Sequence, residues 1–218
     1  MNLLTIKNLE YAFDSKRKIF DNLNLSIEQN SIVRLFGDNG SGKTTFLKII
    51  SNIIDDKNLT YEASFLEKNI KFSEIRNSRV FVPDSPVFYE ELTMKQNIKF
   101  YKLLFKYSEE FIEKVYSLCE KLNILKFLEQ PVKELSLGTR QKLFLSINLS
   151  IPCELVLLDE PFNSLDSSSR KSLAEIINNS NNKTFIIVSH ENEEYVNFSH
   201  ELNSSDWSLN ILERKCMA

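Results

Sequence analysis

The chain of 218 residues reads as an α/β protein: a mainly parallel sheet, an N-terminal antiparallel β subdomain and an inserted α-helical subdomain. Three observations predict this. Short apolar runs of strand length alternate with segments of helical spacing, the pattern of parallel strands covered on both faces. The N-terminal stretch instead carries two strand-period segments joined by a short polar link. From residue 84 to 150 helical character interrupts the alternation, which marks an insertion. The whole is expected to form one domain, with the core and β subdomain over about 1–83 and 151–218 and the helical subdomain over about 84–150.

Taken in order, LLTIKNLEYAF (3–13) and IFDNLNLSI (19–27) alternate with strand period, and the polar link DSKRK predicts a hairpin between them. SIVRLF (31–36) is a short apolar run ending at Gly37, and KTTFLKIISNII (43–54) reads as the helix after it. Strand-like pieces LTYEASFL and SRVFVP fall within 59–82. Residues 93–130 read as helices, with Thr93 and Ser108 as N-caps and Phe111, Val115, Leu118 and Leu122 as an apolar face. Further on, a helix is expected at 139–150, a strand at 154–159, a helix at 168–180, a strand at 184–189 and a short helix at 191–198. WSLNILERK reads as a final strand and charged tail, with Trp207 as a packing residue.

Composition narrows the function classes. A formal charge of −3 gives no general attraction to nucleic acid or anionic lipid. Cys119, Cys153 and Cys216 are scattered and form no metal-type pair, which fits a reduced, cytosolic setting. The N-terminus lacks the basic head and apolar run of a signal peptide. No apolar stretch approaches the ~20 residues that span a bilayer, so a membrane role requires another chain to supply the membrane part.

Glycine is the most informative residue, because the chain has only 4. Average usage is about 7%, so the survivors mark places where a side chain is excluded. Three of them, Gly37, Gly40 and Gly42, sit in GDNGSGKT (37–44), which fits G-x-x-x-x-G-K-[ST]. In such a P-loop the glycines let backbone N–H groups turn inward as an anion nest, and the following helix adds its positive end. Lys43 reaches the β- and γ-phosphates of a nucleoside triphosphate, and the Thr44 hydroxyl ligates Mg²⁺. LVLLDE (155–160) then delivers Asp159 to the Mg²⁺ shell and Glu160 as general base for the attacking water. Alone, that segment reads equally as a buried strand ending in solvated acids. The fourth glycine lies in LSLGTRQK (135–142), where Ser136 and the Gly138 N–H can face a phosphate at a helix N-terminus or serve as an ordinary cap. His190 ends the strand TFIIVS, where it can contact a γ-phosphate or, taken alone, be a structural or exposed residue; His200 has no motif around it and reads as structural.

GDNGSGKT, LSLGTRQK, LVLLDEPFNSLD and IIVSH, in this order, resemble the ATPase domain of ABC (ATP-binding cassette) proteins over essentially the whole chain. The resemblance implies a Walker A loop over Gly37, Asp38, Asn39, Gly40, Ser41, Gly42, Lys43, Thr44 and Thr45. It implies a signature motif at Ser136–Thr139, with Ser136 and Gly138 binding nucleotide. Asp159 becomes the Walker B magnesium residue, Glu160 the catalytic glutamate, Asp166 the D-loop aspartate and His190 the switch histidine. The aromatic that stacks on adenine is Phe13, with Tyr11 as the alternative. Two departures stand out. The signature reads LSLGT where the family has LSGGQ, yet keeps Ser136 and Gly138. The family's Q-loop glutamine falls where FVPDSP stands, which puts Asp84 in its place; an anion there can coordinate Mg²⁺ or its water but lacks the amide's donor.

The resemblance implies an ATPase whose two nucleotides are sandwiched in a head-to-tail homodimer or heterodimer, each signature closing over the other subunit's ATP. The expected function is the cytoplasmic ATPase subunit of an ABC transporter, exporter type, peripherally attached to the inner face of the cell membrane through a transmembrane permease subunit. Phe88, Tyr89, Phe100, Tyr101 and Phe105 are candidates for the groove that receives the permease. Two alternatives stand beside it. One is a soluble non-transport ABC ATPase, disfavoured by the acidic balance and the lack of a coiled-coil insertion, with no nucleic acid expected as partner. The other is a catalytically weak regulatory cassette, kept open by Asp84.

Overall fold

The structure, a computed structural model, describes residues 1–14, 17–190 and 193–212. The centre of the hairpin link, part of the segment expected as a short helix at 191–198, and the C-terminal tail with Cys216 lie outside the described residues. The chain divides into two compact units, one of residues 1–81, 153–160 and 181–218, the other of residues 82–152 and 161–180. The segment 161–180, with its helix, thus groups with the helical insertion.

The first unit holds two sheets. In the smaller, β1 (Asn2–Asp14) pairs antiparallel with β2 (Arg17–Glu28) and, on its other side, with β4 (Thr60–Phe65), which β5 (Lys68–Asn69) extends. β1 and β2 shift register repeatedly along their length, as bulges do where a long ribbon must curl over a core. The larger sheet has strand order β10-β9-β3-β8-β7-β6. Here β3 is Ile32–Phe36, β6 Arg79–Val82, β7 Leu155–Asp159, β8 Thr184–Val188, β9 His200–Asn203 and β10 Ser208–Ile211. β9, β3, β8 and β7 run parallel, and β10 closes one edge antiparallel. Every residue of β7 and β8 is buried, which explains why they read as unbroken apolar runs.

Between the sheets lies one apolar core. Leu4, Ile6, Leu25 and Ile27 face it from the small sheet, Val33, Leu35, Leu157 and Ile186 from the large one, and Phe46, Leu47 and Ile50 from α1 (Lys43–Ile50). Trp207 packs into this core against Phe20 and Phe46, at ring-centroid distances of 4.9 and 5.1 Å.

The second unit is helical: α2 (Met94–Phe105), α3 (Glu109–Lys121), α4 (Leu137–Leu149) and α5 (Ser167–Asn178). Thr93 caps α2 with a full capping box, its hydroxyl accepting from the Gln96 N–H while the Gln96 amide accepts from the Thr93 N–H. Ser108 occupies the N-cap of α3 without a side-chain bond. The buried face of α3 is Phe111, Val115 and Cys119, where Leu118 was expected. Cys119 lies four residues after Val115 and so continues that face. α4 is buried on all sides from Leu143 to Leu149, as expected for a helix without an amphipathic stripe. Buried Asn97 fastens the preceding loop to α2, accepting from the Tyr89 N–H and donating to the carbonyls of Tyr89, Leu92 and Thr93.

Two sequence expectations differ from the structure. Residues 193–198 form a turn rather than a helix, held by the Val196 N–H donating to Glu193 O, since too few residues precede the next strand to nucleate one. β9 was not anticipated, because HELN is too short and too polar to signal a strand; its His200 and Leu202 are buried nonetheless.

Candidate functional site

β3 ends at Phe36 and the chain turns into α1 through a loop that only glycine accommodates at two points. Gly37 (φ 134°) and Gly42 (φ 101°) both lie in the region that disfavours side chains. A Cβ on Gly37 would sit 2.2 Å from Ser204 Oγ, and one on Gly42 would sit 2.8 Å from Ile19 Cγ2. Gly42 is also the N-cap of α1, and no side chain accepts from the first N–H groups of that helix. These donors and the positive end of the helix are therefore available to an anion. Lys43, almost fully buried, bends back over the loop and donates from Nζ to the carbonyls of Gly37 and Asp38, each at 2.8 Å. Asp38, Asn39, Gly40 and Thr44 are exposed, and Thr45 is half-buried.

The same unit brings a second group of residues to the C-terminal ends of β7 and β8. Asp159, the last residue of β7, is buried. Glu160 follows with a left-handed backbone (φ 51°), unusual for a glutamate, and its N–H donates to Val188 O. Its Oε1 lies 3.0 Å from His190 Nε2. Burial raises the Glu160 carboxyl above its ordinary pKa, Asp159 pushes it the same way, and His190 and Lys43 pull it back. Asp159, His190 and Lys43 thus all lie within electrostatic reach of Glu160. A partly desolvated carboxylate held by an imidazole is suited to accept a proton from water.

Phe13 and Tyr11 separate clearly. Tyr11 is buried and donates its hydroxyl to Asp56 Oδ2 at 3.2 Å. Phe13 is 51% exposed, with Tyr11 edge-on to it at 5.3 Å, so Phe13 alone offers a ring face to a base.

The remaining candidates lie in the second unit. Ser136 is the N-cap of α4; its Oγ accepts from the Thr139 N–H at 3.2 Å and lies 2.9 Å from Thr139 Oγ1. Gly138 has ordinary helical backbone, but a Cβ there would sit 2.7 Å from the Ser164 carbonyl oxygen. Asp166 caps α5, accepting from the Ser169 N–H and from the Ser168 and Ser169 hydroxyls, with Lys142 Nζ at 3.3 Å. These bonds hold its carboxyl well below the usual carboxylate range. Asp84 is exposed, in the irregular segment after β6.

A family model described as ABC transporter matches residues 20–163. The chain belongs to the ABC transporter family. Among ABC relatives, the spermidine/putrescine import ATP-binding protein PotA of Borreliella afzelii is 30% identical over 206 residues, covering 92% of this chain. The chain spans 59% of that relative's length. The lantibiotic transport ATP-binding protein SrtF of Streptococcus pyogenes is 31% identical over 192 residues, covering 86% of this chain and 80% of the relative. Among solved structures, an ABC transporter ATP-binding protein from Pyrococcus furiosus superposes with a TM-score of 0.78 at 25% identity, covering 94% of this chain and 98% of the other. The fold and the ATP-binding character are therefore those of ABC ATPase subunits.

The donor set of this ABC chain fits Mg²⁺ held jointly by protein and substrate. No cluster of three metal-ligating side chains occurs among the described residues. Mg²⁺ at phosphate sites needs only one or two protein oxygens, and the Thr44 hydroxyl and the buried Asp159 carboxylate are of that kind.

Three contacts of the loop 37–45 and of the strand before it escaped the sequence. Ser204 lies against Gly37, and its Oγ is 2.6 Å from Ser41 Oγ. Ile19 fills the space beside Gly42. Arg34 forms an ion pair with Glu201 on β9 at 3.0 Å. Only the last left a signal, a charge inside the apolar run SIVRLF; the other partners are too distant in sequence for any local pattern to pair them.

Proposed function

We propose that this chain binds ATP on the loop 37–45, hydrolyses it, and powers transport across a membrane as the ATPase subunit of an ABC exporter. The carrying observation is the convergence, in one unit, of Lys43 on an uncapped helix N-terminus with buried Asp159 and the Glu160–His190 pair. Phe13 stacks on the adenine. Lys43 exchanges its two loop carbonyls for phosphate oxygens. Thr44 and Asp159 would hold Mg²⁺, which when bound would neutralise charge on the phosphates. Glu160 takes the proton of the attacking water as the new O–P bond forms and the bond to ADP breaks; His190 holds that carboxylate and faces the γ-phosphate. Ser136 and Gly138 serve the ATP of a second subunit, and residues 84–150 act as the helical subdomain of a single ABC domain.

Export is our reading: this chain spans 80% of the relative named for lantibiotic transport and 59% of the one named for import. A membrane subunit is the proposed partner at the helical unit, placing the chain on the cytoplasmic face. There Val87, Tyr89, Leu103, Leu104 and Phe105 are exposed, with Tyr89 edge-on to Phe100 at 4.6 Å. Phe88 is half-buried, packed edge-on against Phe144 at 5.7 Å. Asp84 supports a second reading, a weakly hydrolysing cassette paired with a competent one.

The decisive experiment is light scattering of Glu160→Gln in saturating ATP and Mg²⁺. A dimer is expected, and a monomer would argue against the sandwiched-nucleotide reading. ATPase assays with and without the membrane partner separate the competent from the regulatory cassette.

A further inference from the structure

Arg34 stands in a strand whose other side is fully apolar. Val33 and Leu35 are buried in the core, while Arg34 points to the opposite face of the sheet. Its guanidinium is nearly buried, and it is held on both sides. Parallel pairing sets Arg34 beside Glu201 on β9, and Arg34 Nη1 donates to Glu201 Oε1 at 3.0 Å. The Phe36 ring lies 5.0 Å from the guanidinium carbon. On the other flank Arg34 is paired with Ile187 of β8, three residues before His190. Across that flank Arg34 Nη2 reaches the His190 carbonyl oxygen at 3.5 Å, while the buried Nε has no acceptor.

A guanidinium is planar, so fixing one amino group fixes the direction of the other. The ion pair with Glu201 and the ring of Phe36 therefore aim Nη2 at the residue whose imidazole meets Glu160. The backbone of His190 has left the sheet ladder by this point, since β8 ends at Val188 and Ser189 makes a long 3.3 Å bond to Leu35 O. Among the described residues, Arg34 Nη2 reaches from the sheet to the carbonyl of His190 through a long, solvent-exposed hydrogen bond.

We infer that Arg34, locked by Glu201, is a positioning residue for the reaction, fixing the backbone at His190 so that its imidazole holds Glu160 in line with the attacking water. This rests on the functional reading above. The role needs the fork of arginine, not only its charge: a lysine at 34 can keep the ion pair with Glu201 but has no second arm for His190.

The test is single-turnover ATP hydrolysis and nucleotide affinity for the full chain and four variants: Arg34→Lys, Arg34→Met, His190→Ala, and Arg34→Lys combined with His190→Ala. Arg34→Lys is expected to keep the thermal midpoint and the ATP affinity while lowering the hydrolysis rate about tenfold, the size expected for a misplaced group remote from the bond that breaks. The double variant is expected to be no slower than His190→Ala, because both changes act on one group. Wild-type rate in Arg34→Lys, with loss confined to Arg34→Met, would reduce Arg34 to a structural ion pair and overturn the inference. Additive rate losses in the double variant would overturn it as well. If His190→Ala itself hydrolyses normally, or the wild-type chain does not hydrolyse ATP, the functional reading fails instead.

Discussion

Two helices of this chain begin beside glycines, and they treat their N-terminal N–H groups in opposite ways. α1 starts from Gly42 in a left-handed conformation with no side chain accepting from its first turn. α4 starts from Ser136, whose hydroxyl accepts from the Thr139 N–H. The first N-terminus is left open, and Lys43 covers the loop only through carbonyls that phosphate oxygens can replace. The second satisfies itself. Ser136 Oγ can keep accepting from the Thr139 N–H while its own hydrogen donates to a phosphate, because a hydroxyl is donor and acceptor at once. The open end thus leaves its first N–H groups to an anion, whereas at the capped end one of them is already spent on Ser136 Oγ.

The largest expected effect breaks the open end. Lys43→Ala removes the charge that reaches the phosphates. A hydrogen bond to a charged group contributes about 1.5–3 kcal/mol, so ATP affinity should fall roughly tenfold to a hundredfold by titration of a fluorescent nucleotide. Unchanged affinity would remove the P-loop assignment.

The two glycines sharpen the contrast. Gly42→Ala forces a Cβ into a left-handed position and against Ile19, whereas Gly138→Ala keeps an ordinary backbone but meets the Ser164 carbonyl. Each should cost about 1–3 kcal/mol of stability in urea unfolding. Only Gly42→Ala should also weaken ATP binding by the isolated chain. Equal loss of binding in both would mean that the capped end acts within its own chain.

The same contrast explains what was legible from sequence. The P-loop could be read because its parts are adjacent: an apolar strand, glycines at fixed offsets, a lysine and a helix. Its physical purpose was only half visible. The glycines were expected where phosphate approaches, and at Gly37 and Gly42 the structure adds Ser204 and Ile19 as reasons of packing. Gly138 likewise answers to a close backbone approach from Ser164. β7 and β8 were legible from burial on both faces, but β9 was not, because His200 is buried with Ser199 Oγ 2.9 Å from its Nδ1 rather than by an apolar side chain. That Tyr11 is buried and Phe13 exposed needed tertiary structure too, since the contact of Tyr11 with Asp56 joins residues 45 apart.

A smaller effect tests the capped end directly. Ser136→Ala removes the cap and should cost about 1 kcal/mol of stability, while ATP affinity of the isolated chain stays within error. Hydrolysis should fall more than stability does, because the hydroxyl is lost to the partner's phosphate as well. A variant destabilised yet fully active would leave Ser136 as a cap only.

The smallest effect concerns the neighbouring cap. Asp166 holds α5 through three serine donors and Lys142, with its carboxyl pKa lowered. A carboxylate whose folded pKa lies below its unfolded value stabilises the fold above the unfolded value, near pH ~4, and loses that contribution as pH falls through the folded one. The stability difference between wild type and Asp166→Ala should therefore be constant at neutral pH and shrink below about pH 4. It should also be small, since the side chain is largely exposed and its charge is screened by solvent. Urea midpoints measured from pH 7 to 3 check the sign. A difference that persists unchanged in acid would mean that Asp166 caps α5 as well when protonated, so that its charge is not what holds the helix.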